Sequence, residues 1–287
     1  MIEIAYLSQM PEGFRTFLYE LMVFLSGLLL SANGQFNVTD YQIKTNKPVG
    51  HIRIVQIADL HLREFGENNA DLIAAVRDKE PDLIAVTGDM VNKWSPEYAP
   101  VIEFCKALQP IAPVYYVLGN HELDQIRDFG TQISEDLRNA GVILLDNESV
   151  TVEINGKQIE IGGLTDKPGS YSKSGKEFIS RFIQSENFKL LLVHDPGYFD
   201  TGYMHGKRAY LIGKDIDAAL CGHRHGGIYR IPMAGAFYVP GAGFFPELSD
   251  GQTKINNTDV IVSRGLGDSN KFPRFNNPPE LVVIDIN

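Results

Sequence analysis

From His51 onward, short apolar runs alternate with helical patterns, and five of those runs stop on polar residues able to bind metal. Ile52 to Ile57 leads into Ala58-Asp59-Leu60-His61. Leu83 to Thr87 leads into Gly88-Asp89, and Val114 to Leu118 into Gly119-Asn120-His121-Glu122. Leu190 to Val193 stops at His194, and Ile216 to Leu220 at Cys221-Gly222-His223-Arg224-His225-Gly226-Gly227. Few folds accommodate that rhythm. Strands alternating with helices build an α/β protein, and ligands of open α/β sheets bind beyond the carboxyl ends of the strands. The recurrence predicts that two Asp, one Asn and five His reach one edge. Those five are most of the seven histidines; His51 and His205 fall elsewhere and read as structural or surface residues.

The intervening segments have a period near 3.6. Asn69 to Lys79 places Leu72, Ile73 and Val76 on one face. Glu97 to Leu108, Asp128 to Asn139 and Lys176 to Gln184 also read as helices. The pattern changes at Ser149 to Ile161, where two alternating runs flank Asn155-Gly156. That dipeptide favours a type I′ turn and predicts a hairpin. Residues 226–250 are rich in Gly, Pro and aromatics, and two strands, Val260 to Ser263 and Leu281 to Ile286, close the chain.

The 287 residues suffice for one large α/β domain or two small ones. A net charge of −10 and the lack of a basic stripe leave nothing to neutralise a nucleic-acid backbone. Two cysteines, Cys105 and Cys221, cannot build a disulfide framework or a thiolate zinc cage. A metal would be held mainly by nitrogen and oxygen.

The first 50 residues stand apart as a hydrophobic segment and linker, with a second unit over 51–287. Phe14 to Ala32 is apolar, almost wholly so from Leu21 to Leu30. It approaches the roughly 20 apolar residues of a membrane span only if Arg15 and Glu20 are included. An ordinary buried or amphipathic helix, a membrane anchor or interfacial helix, and a cleaved signal are all open readings. Residues 33–50 are polar and read as a linker. Membrane association, side unknown, is the expected location, with a cytoplasmic protein as the alternative.

Each polar strand end has an ordinary explanation by itself. Asp59 could cap a helix, Gly88-Asp89 and Asn120-His121 could be turns, and His194 could be a satisfied core histidine. Their succession is harder to explain that way. In order, Asp59-x-His61, Gly88-Asp89, Gly119-Asn120-His121-Glu122, His194 and Gly222-His223-x-His225 resemble the motifs of the calcineurin-like metallophosphoesterase superfamily, over about residues 50–287. Ser263-Arg264-Gly265-Leu266-Gly267 and Pro278-Pro279-Glu280-Leu281 resemble a bacterial, membrane-associated phosphodiesterase subfamily related to UDP-2,3-diacylglucosamine pyrophosphatase-type enzymes.

The resemblance implies a four-layer α/β/β/α sandwich of two mixed sheets, with the hairpin and both closing strands in the second sheet. It also implies two divalent metal ions, manganese, iron or zinc. Asp59, His61, Asp89 and His225 would hold one; Asp89, Asn120, His194 and His223 the other, with Asp89 bridging. Two such ions about 3.5–4 Å apart clamp the attacking and leaving oxygens of a phosphoryl displacement. A metal-bridging hydroxide would then hydrolyse a phosphodiester or pyrophosphate, with His121 beside the leaving oxygen. The partner is a phosphate-containing substrate, lipid-linked or a sugar nucleotide. Arg224, Arg230, Arg264 and Lys271 are candidate phosphate grips, Arg264 and Arg224 foremost. A catalytically silent scaffold of the same fold, binding a protein or membrane partner, is the competing expectation. Two positions depart from the subfamily pattern: Ile228 stands where glutamine is usual, and Asp195 where asparagine often follows the histidine. Asp195 reads either as a partner of His194 or as a turn cap.

Overall fold

The computed structural model describes residues 11–32, 35–165, 172–201, 209–227, 229–231, 233–239, 242–268, 274 and 276–287. His205, Ile228 and Lys271 lie outside them.

Two six-stranded sheets carry the fold. The first orders its strands β1 (Asn37–Ile43), β16 (Glu280–Ile286), β2 (Ile52–Ile57), β3 (Leu83–Val86), β4 (Val114–Tyr116) and β5 (Ile143–Leu144). The second orders them β14 (Gly251–Ile255), β15 (Thr258–Val262), β9 (Ala218–Cys221), β8 (Phe188–Val193), β7 (Lys157–Leu164) and β6 (Glu148–Ile154). Four two-residue strands, β10 (Arg230–Ile231), β11 (Gly235–Ala236), β12 (Tyr238–Val239) and β13 (Gly243–Phe244), pair as two small ribbons.

Both sheets are mixed. β2 to β5 are parallel, while β16 runs antiparallel to β2 and parallel to β1. β15, β9, β8 and β7 are parallel, flanked by antiparallel β14 and β6. The parallel strands are near-continuous apolar runs because both faces are covered. Alternate residues of the first sheet show how. Val55, Ile57, Ile84 and Val86 pack with Leu72, Val76, Phe104, Leu108 and Leu137 of α2 (Ala70–Arg77), α3 (Ala99–Leu108) and α5 (Ile133–Asn139). Ile54, Leu83, Ala85 and Ile284 face the other way and meet Ile161, Leu190, Leu220 and Ile261 of the second sheet. That sheet's outer face carries Leu191, Val193, Ala219 and Val260 against Phe178, Ile179 and Phe182 of α6 (Lys173–Phe182). Three apolar interfaces therefore separate four layers, α/β/β/α, as expected.

The hairpin forms where Asn155-Gly156 places it: both residues have positive φ, 52° and 74°, as a type I′ turn requires. Three expectations change. Residues 33–50 are not all linker, since Asn37–Ile43 is an edge strand in full register with Glu280–Ile286. Its alternation along the edge is weakly apolar, and β16 supplies the partner. Only one closing strand joins the second sheet; β16 inserts between β1 and β2 of the first, matching Ile284 to Ile54. The helix expected over Asp128 to Asn139 is two helices, α4 (Asn120–Phe129) and α5. Gly130, left-handed at φ 66°, ends the first.

The N-terminal α1 (Glu12–Ala32) exposes Phe14, Phe17, Tyr19, Met22 and Leu25. Among the described residues, no helix is long and apolar enough to cross a membrane. A spanning anchor at residues 14–32 therefore has no support.

Candidate metal centre

The parallel strands β2, β3, β4, β8 and β9 bring their carboxyl ends to one place. Asp59, His61 and His225 offer ligand atoms within 4.8 Å of one another, and so do Asp89, His194 and His223. A third group, His61, Asp89 and His121, shares His61 with the first and Asp89 with the second. His61 Nε2 lies 3.2 Å from His225 Nε2, and His225 Nε2 3.4 Å from Asp59 Oδ1. On the other side, His194 Nε2 is 3.1 Å from Asp89 Oδ2, 3.1 Å from His223 Nδ1 and 3.2 Å from Asn120 Oδ1.

Backbone strain concentrates here. Asp59, His61, Asp89, His223 and His225 all have positive φ, between 49° and 70°. Left-handed conformations are uncommon for side-chain-bearing residues and collect at functional sites. Two strand ends also approach backbone to backbone. A Cβ on Gly88 would fall on the Gly119 amide, and one on Gly119 on the Asp89 carboxylate and amide. No other residue fits either place.

Hydrogen bonds outside the cluster aim the rings. His61 Nδ1 donates to Val91 O at 3.1 Å, which leaves its Nε2 as an inward lone pair, and His194 Nδ1 donates to Thr87 O at 2.7 Å, which turns its Nε2 toward Asp89 Oδ2. His121 is the reverse: its Nδ1 accepts from the Lys93 amide at 3.2 Å, so the neutral ring keeps its proton on Nε2. That Nε2 lies 3.8 Å from Asp89 Oδ2. Gln125 holds the supporting loop, sharing its two Nε2 protons among the Asn92, Ser95 and Glu97 carbonyls.

The electrostatics are those of a pocket built around positive charge. Burial raises the Asp59 carboxyl, and Asp89 raises it further. Burial also opposes charge on Asp89, yet His194 and His121 outweigh it and hold that carboxyl well below the usual range. Burial lowers His61 and His223 to about 4, so both are neutral, lone-pair-bearing imidazoles at neutral pH. His194 is opposed by burial but carried up to about 10 by Asp89. Two carboxylates, one amide oxygen and four imidazoles, all nitrogen or oxygen donors, fit divalent metal ions such as manganese, iron or zinc.

Sequence reasoning left Glu122 without a role, although its motif contains it. The fully buried Glu122 carboxylate accepts from the amides of Asp89 (2.9 Å), Met90 (2.7 Å) and Gly119 (2.9 Å) and from Tyr116 Oη (2.9 Å). It ties the end of β3, which carries Asp89, to the end of β4, which carries Asn120 and His121. The signal was its position as the third residue of α4, where Glu reaches back to the preceding amide.

The arginines are engaged. Arg224 is buried, with Nη2 3.3 Å from Asp200 Oδ2 and Nε 3.9 Å from Asp195 Oδ1. Arg264 donates to Glu280 Oε1 through Nε (3.1 Å) and Nη2 (2.8 Å), and Arg230 pairs with Asp250 at 2.7 Å. A substrate role for any of them requires exchange of an ion-pair partner. Asp195 is a cap: it accepts from Gly197 N at 2.8 Å at the start of the Pro196–Phe199 turn, while Thr87 orients His194. Arg274 was missed altogether. It is buried behind His225.

A model of the calcineurin-like phosphoesterase family matches residues 52–227, which contain the whole cluster. Curated relatives align along most of both chains. A metallophosphoesterase of Aquifex aeolicus is 29% identical, covering 87% of this chain and 91% of the relative. YkuE of Bacillus subtilis, an uncharacterized metallophosphoesterase, is 28% identical (86% and 84%). The phosphodiesterase YaeI of Escherichia coli is 26% identical (82% of each). With the two Asp/His clusters, these matches suggest a dinuclear divalent metal site.

Proposed function

The chain belongs to the calcineurin-like phosphoesterase family, and on that basis we propose that it hydrolyses a phosphodiester or pyrophosphate with two bound divalent ions. One observation carries the reading: buried Asp89 stands between two groups of inward-facing imidazoles. Asp59, His61, Asp89 and His225 would hold one ion, and Asp89, Asn120, His194 and His223 the other. Such ions supply Lewis-acid polarisation of a phosphoryl oxygen and a water nucleophile at neutral pH. The metal is manganese, iron or zinc.

The chain's own residues have separate tasks. Asp59 and Asp89 bring two negative charges against four positive ones, so a loaded site stays cationic and draws in a phosphate despite the net charge of −10. His121 presents a proton on Nε2, fixed there by the Lys93 amide. It donates a hydrogen bond from that N–H to the leaving oxygen, stabilising the charge that develops there. Glu122 keeps Asp89 and His121 in register.

We place the chain in a bacterial, membrane-associated branch related to UDP-2,3-diacylglucosamine pyrophosphatase-type enzymes, with a lipid-linked or sugar-nucleotide substrate. Support comes from the two C-terminal segments that suggest the branch, which form one unit: Glu280 binds both the backbone and the guanidinium of Arg264. Support for an apolar substrate group comes from Phe237, Tyr238, Phe244 and Phe245, which pack edge-to-face and tilted as a cluster with Phe244 and Phe245 exposed. Asp200 lines a cleft beside Phe244 and Phe245 and pairs with Arg224 between the two histidines. Membrane contact would use the exposed apolar side chains of α1 as an interfacial helix.

The test is hydrolysis of chromogenic phosphodiesters, nucleoside diphosphate sugars and lipid pyrophosphates by chelator-stripped protein reloaded with each metal. Asp89→Ala abolishes hydrolysis under this reading; undiminished turnover refutes it. A wild-type protein that binds metal and hydrolyses nothing in the screen would favour the silent scaffold. Recovery of the full-length protein wholly in the soluble fraction would refute membrane contact.

A further inference from the structure

Among the described residues, His225 alone of the four histidines around the proposed ions has a guanidinium as a hydrogen-bond partner. His61 and His194 each donate from Nδ1 to a backbone carbonyl. His223 points Nδ1 inward, toward His194 Nε2. His225 points Nε2 inward, but its outer Nδ1 faces Arg274 Nη2 at 3.4 Å. A guanidinium has donors only. The outer nitrogen of His225 must therefore accept, and the proton of the neutral ring sits on Nε2, the atom aimed at the cluster.

The neighbours complete a closed chain. His225 Nε2 can donate to His61 Nε2, 3.2 Å away, whose lone pair is freed by the bond from His61 Nδ1 to Val91 O. Arg274 cannot easily step aside. Its Nε donates to Gly267 O at 2.9 Å, and the two protons of its Nη2 are shared among Gly267 O, Arg264 O at 2.9 Å and the more distant His225 Nδ1. The side chain is 96% buried, and Nη1 is buried without a partner. Asp268, 3.5 Å from Nε and half exposed, offsets part of the charge. An ion at Asp59, His61 and His225 meets a fixed positive charge behind one ligand and a hydrogen-bonded proton on the ligating atom. Among the described residues, no guanidinium is hydrogen-bonded to a ligand ring of an ion at Asp89, His194 and His223.

We infer that Arg274 is a positioning residue that weakens the half-site of Asp59, His61 and His225, so that the centre loads in two separate steps. This rests on the dinuclear reading. Outer partners of ligating histidines shift metal affinity by about 10- to 100-fold, which sets the size expected here.

Calorimetric titration of the full-length, chelator-stripped protein with Mn2+ and with Zn2+ tests it. Wild type is expected to bind two ions in resolved steps. Arg274→Gln should tighten the weaker step about 10- to 100-fold and leave the tighter one alone, while Arg274→Lys should retain the wild-type pattern. Two equal sites in wild type, or a weaker step unmoved or weakened in Arg274→Gln, overturns the inference and leaves the dinuclear reading standing. Failure of wild type to bind either metal overturns both. If Arg274→Gln does not fold, the imidazole tautomer of His225 in metal-free wild type, read from 15N chemical shifts, decides: Nε2–H supports the inference and Nδ1–H overturns it.

Discussion

Replacing Glu122 by Gln tests whether one buried carboxylate holds the site together. Oε2 accepts from the amides of Asp89 and Gly119, and Oε1 from the amide of Met90 and from Tyr116 Oη. Glutamine keeps one oxygen. If its NH2 took the Oε2 place, two fixed amides would face a donor. At the Oε1 place only the Met90 amide does, because Tyr116 Oη can rotate to accept. Glutamine should choose the second arrangement. It then loses one charge-assisted bond and buries one unsatisfied amide, worth about 1.5–3 and about 1–3 kcal/mol. Relief from burying a charge offsets part of this, since burial and Asp89 both raise the Glu122 carboxyl. The expected net loss is about 2–4 kcal/mol in urea unfolding of the metal-free protein. Glu122→Ala strands all four donors and should cost more than about 4 kcal/mol. A Glu122→Gln protein within about 0.5 kcal/mol of wild type would refute the reasoning, whatever its activity. A stable variant with impaired turnover would point instead to a direct role at the substrate.

Four further outcomes follow from the same structure. Gly119→Ala should destabilise by more than about 2 kcal/mol and lose metal, measured by denaturation and elemental analysis, because its Cβ would fall on Asp89. Leu220→Ala, fully buried between the sheets, should cost about 2–5 kcal/mol in the same assay. His121→Asn should lower kcat while leaving metal stoichiometry at the wild-type value; loss of a metal would make His121 a ligand instead. Metal-free protein should be most stable near pH 6.5. His61 and His223 have folded values of about 4 against 6.5 unfolded, so the unfolded chain binds more protons between them and stability falls on acidification, by about 3 kcal/mol each. His194, raised to about 10, gives stability that is full below 6.5 and lost as pH rises toward 10. Asp59, raised to about 7, gives stability that is full below 3.8 and lost as pH rises through 7, which offsets part of the loss from the two histidines on acidification. A melting temperature that climbs steadily from pH 6.5 to 4 would contradict these directions.

The sequence by itself determined the parts of the site that depend on local pattern. Apolar runs a few residues long mark the parallel strands, and a ligand residue just after each run is carried to the strand end by chain connectivity alone. Asp59, His61, Asp89, Asn120, His121, His194, His223 and His225 were all found in that way, and the hairpin by Asn155-Gly156. What only the tertiary structure decided are pairings between distant residues. β16 enters the first sheet because Leu281 to Ile286 meets β1 and β2 across more than two hundred residues. A weakly apolar segment such as Asn37–Ile43 becomes a strand when that edge is there to bond it. The arginines follow the same rule. Arg264 binds Glu280 and Arg224 binds Asp200, whereas Arg274 reaches His225 from 49 residues away. A guanidinium on a long, flexible stem goes to whichever buried acceptor the fold brings near. Periodicity therefore reveals which residues gather at the strand ends, and only packing reveals which charge stands behind each one.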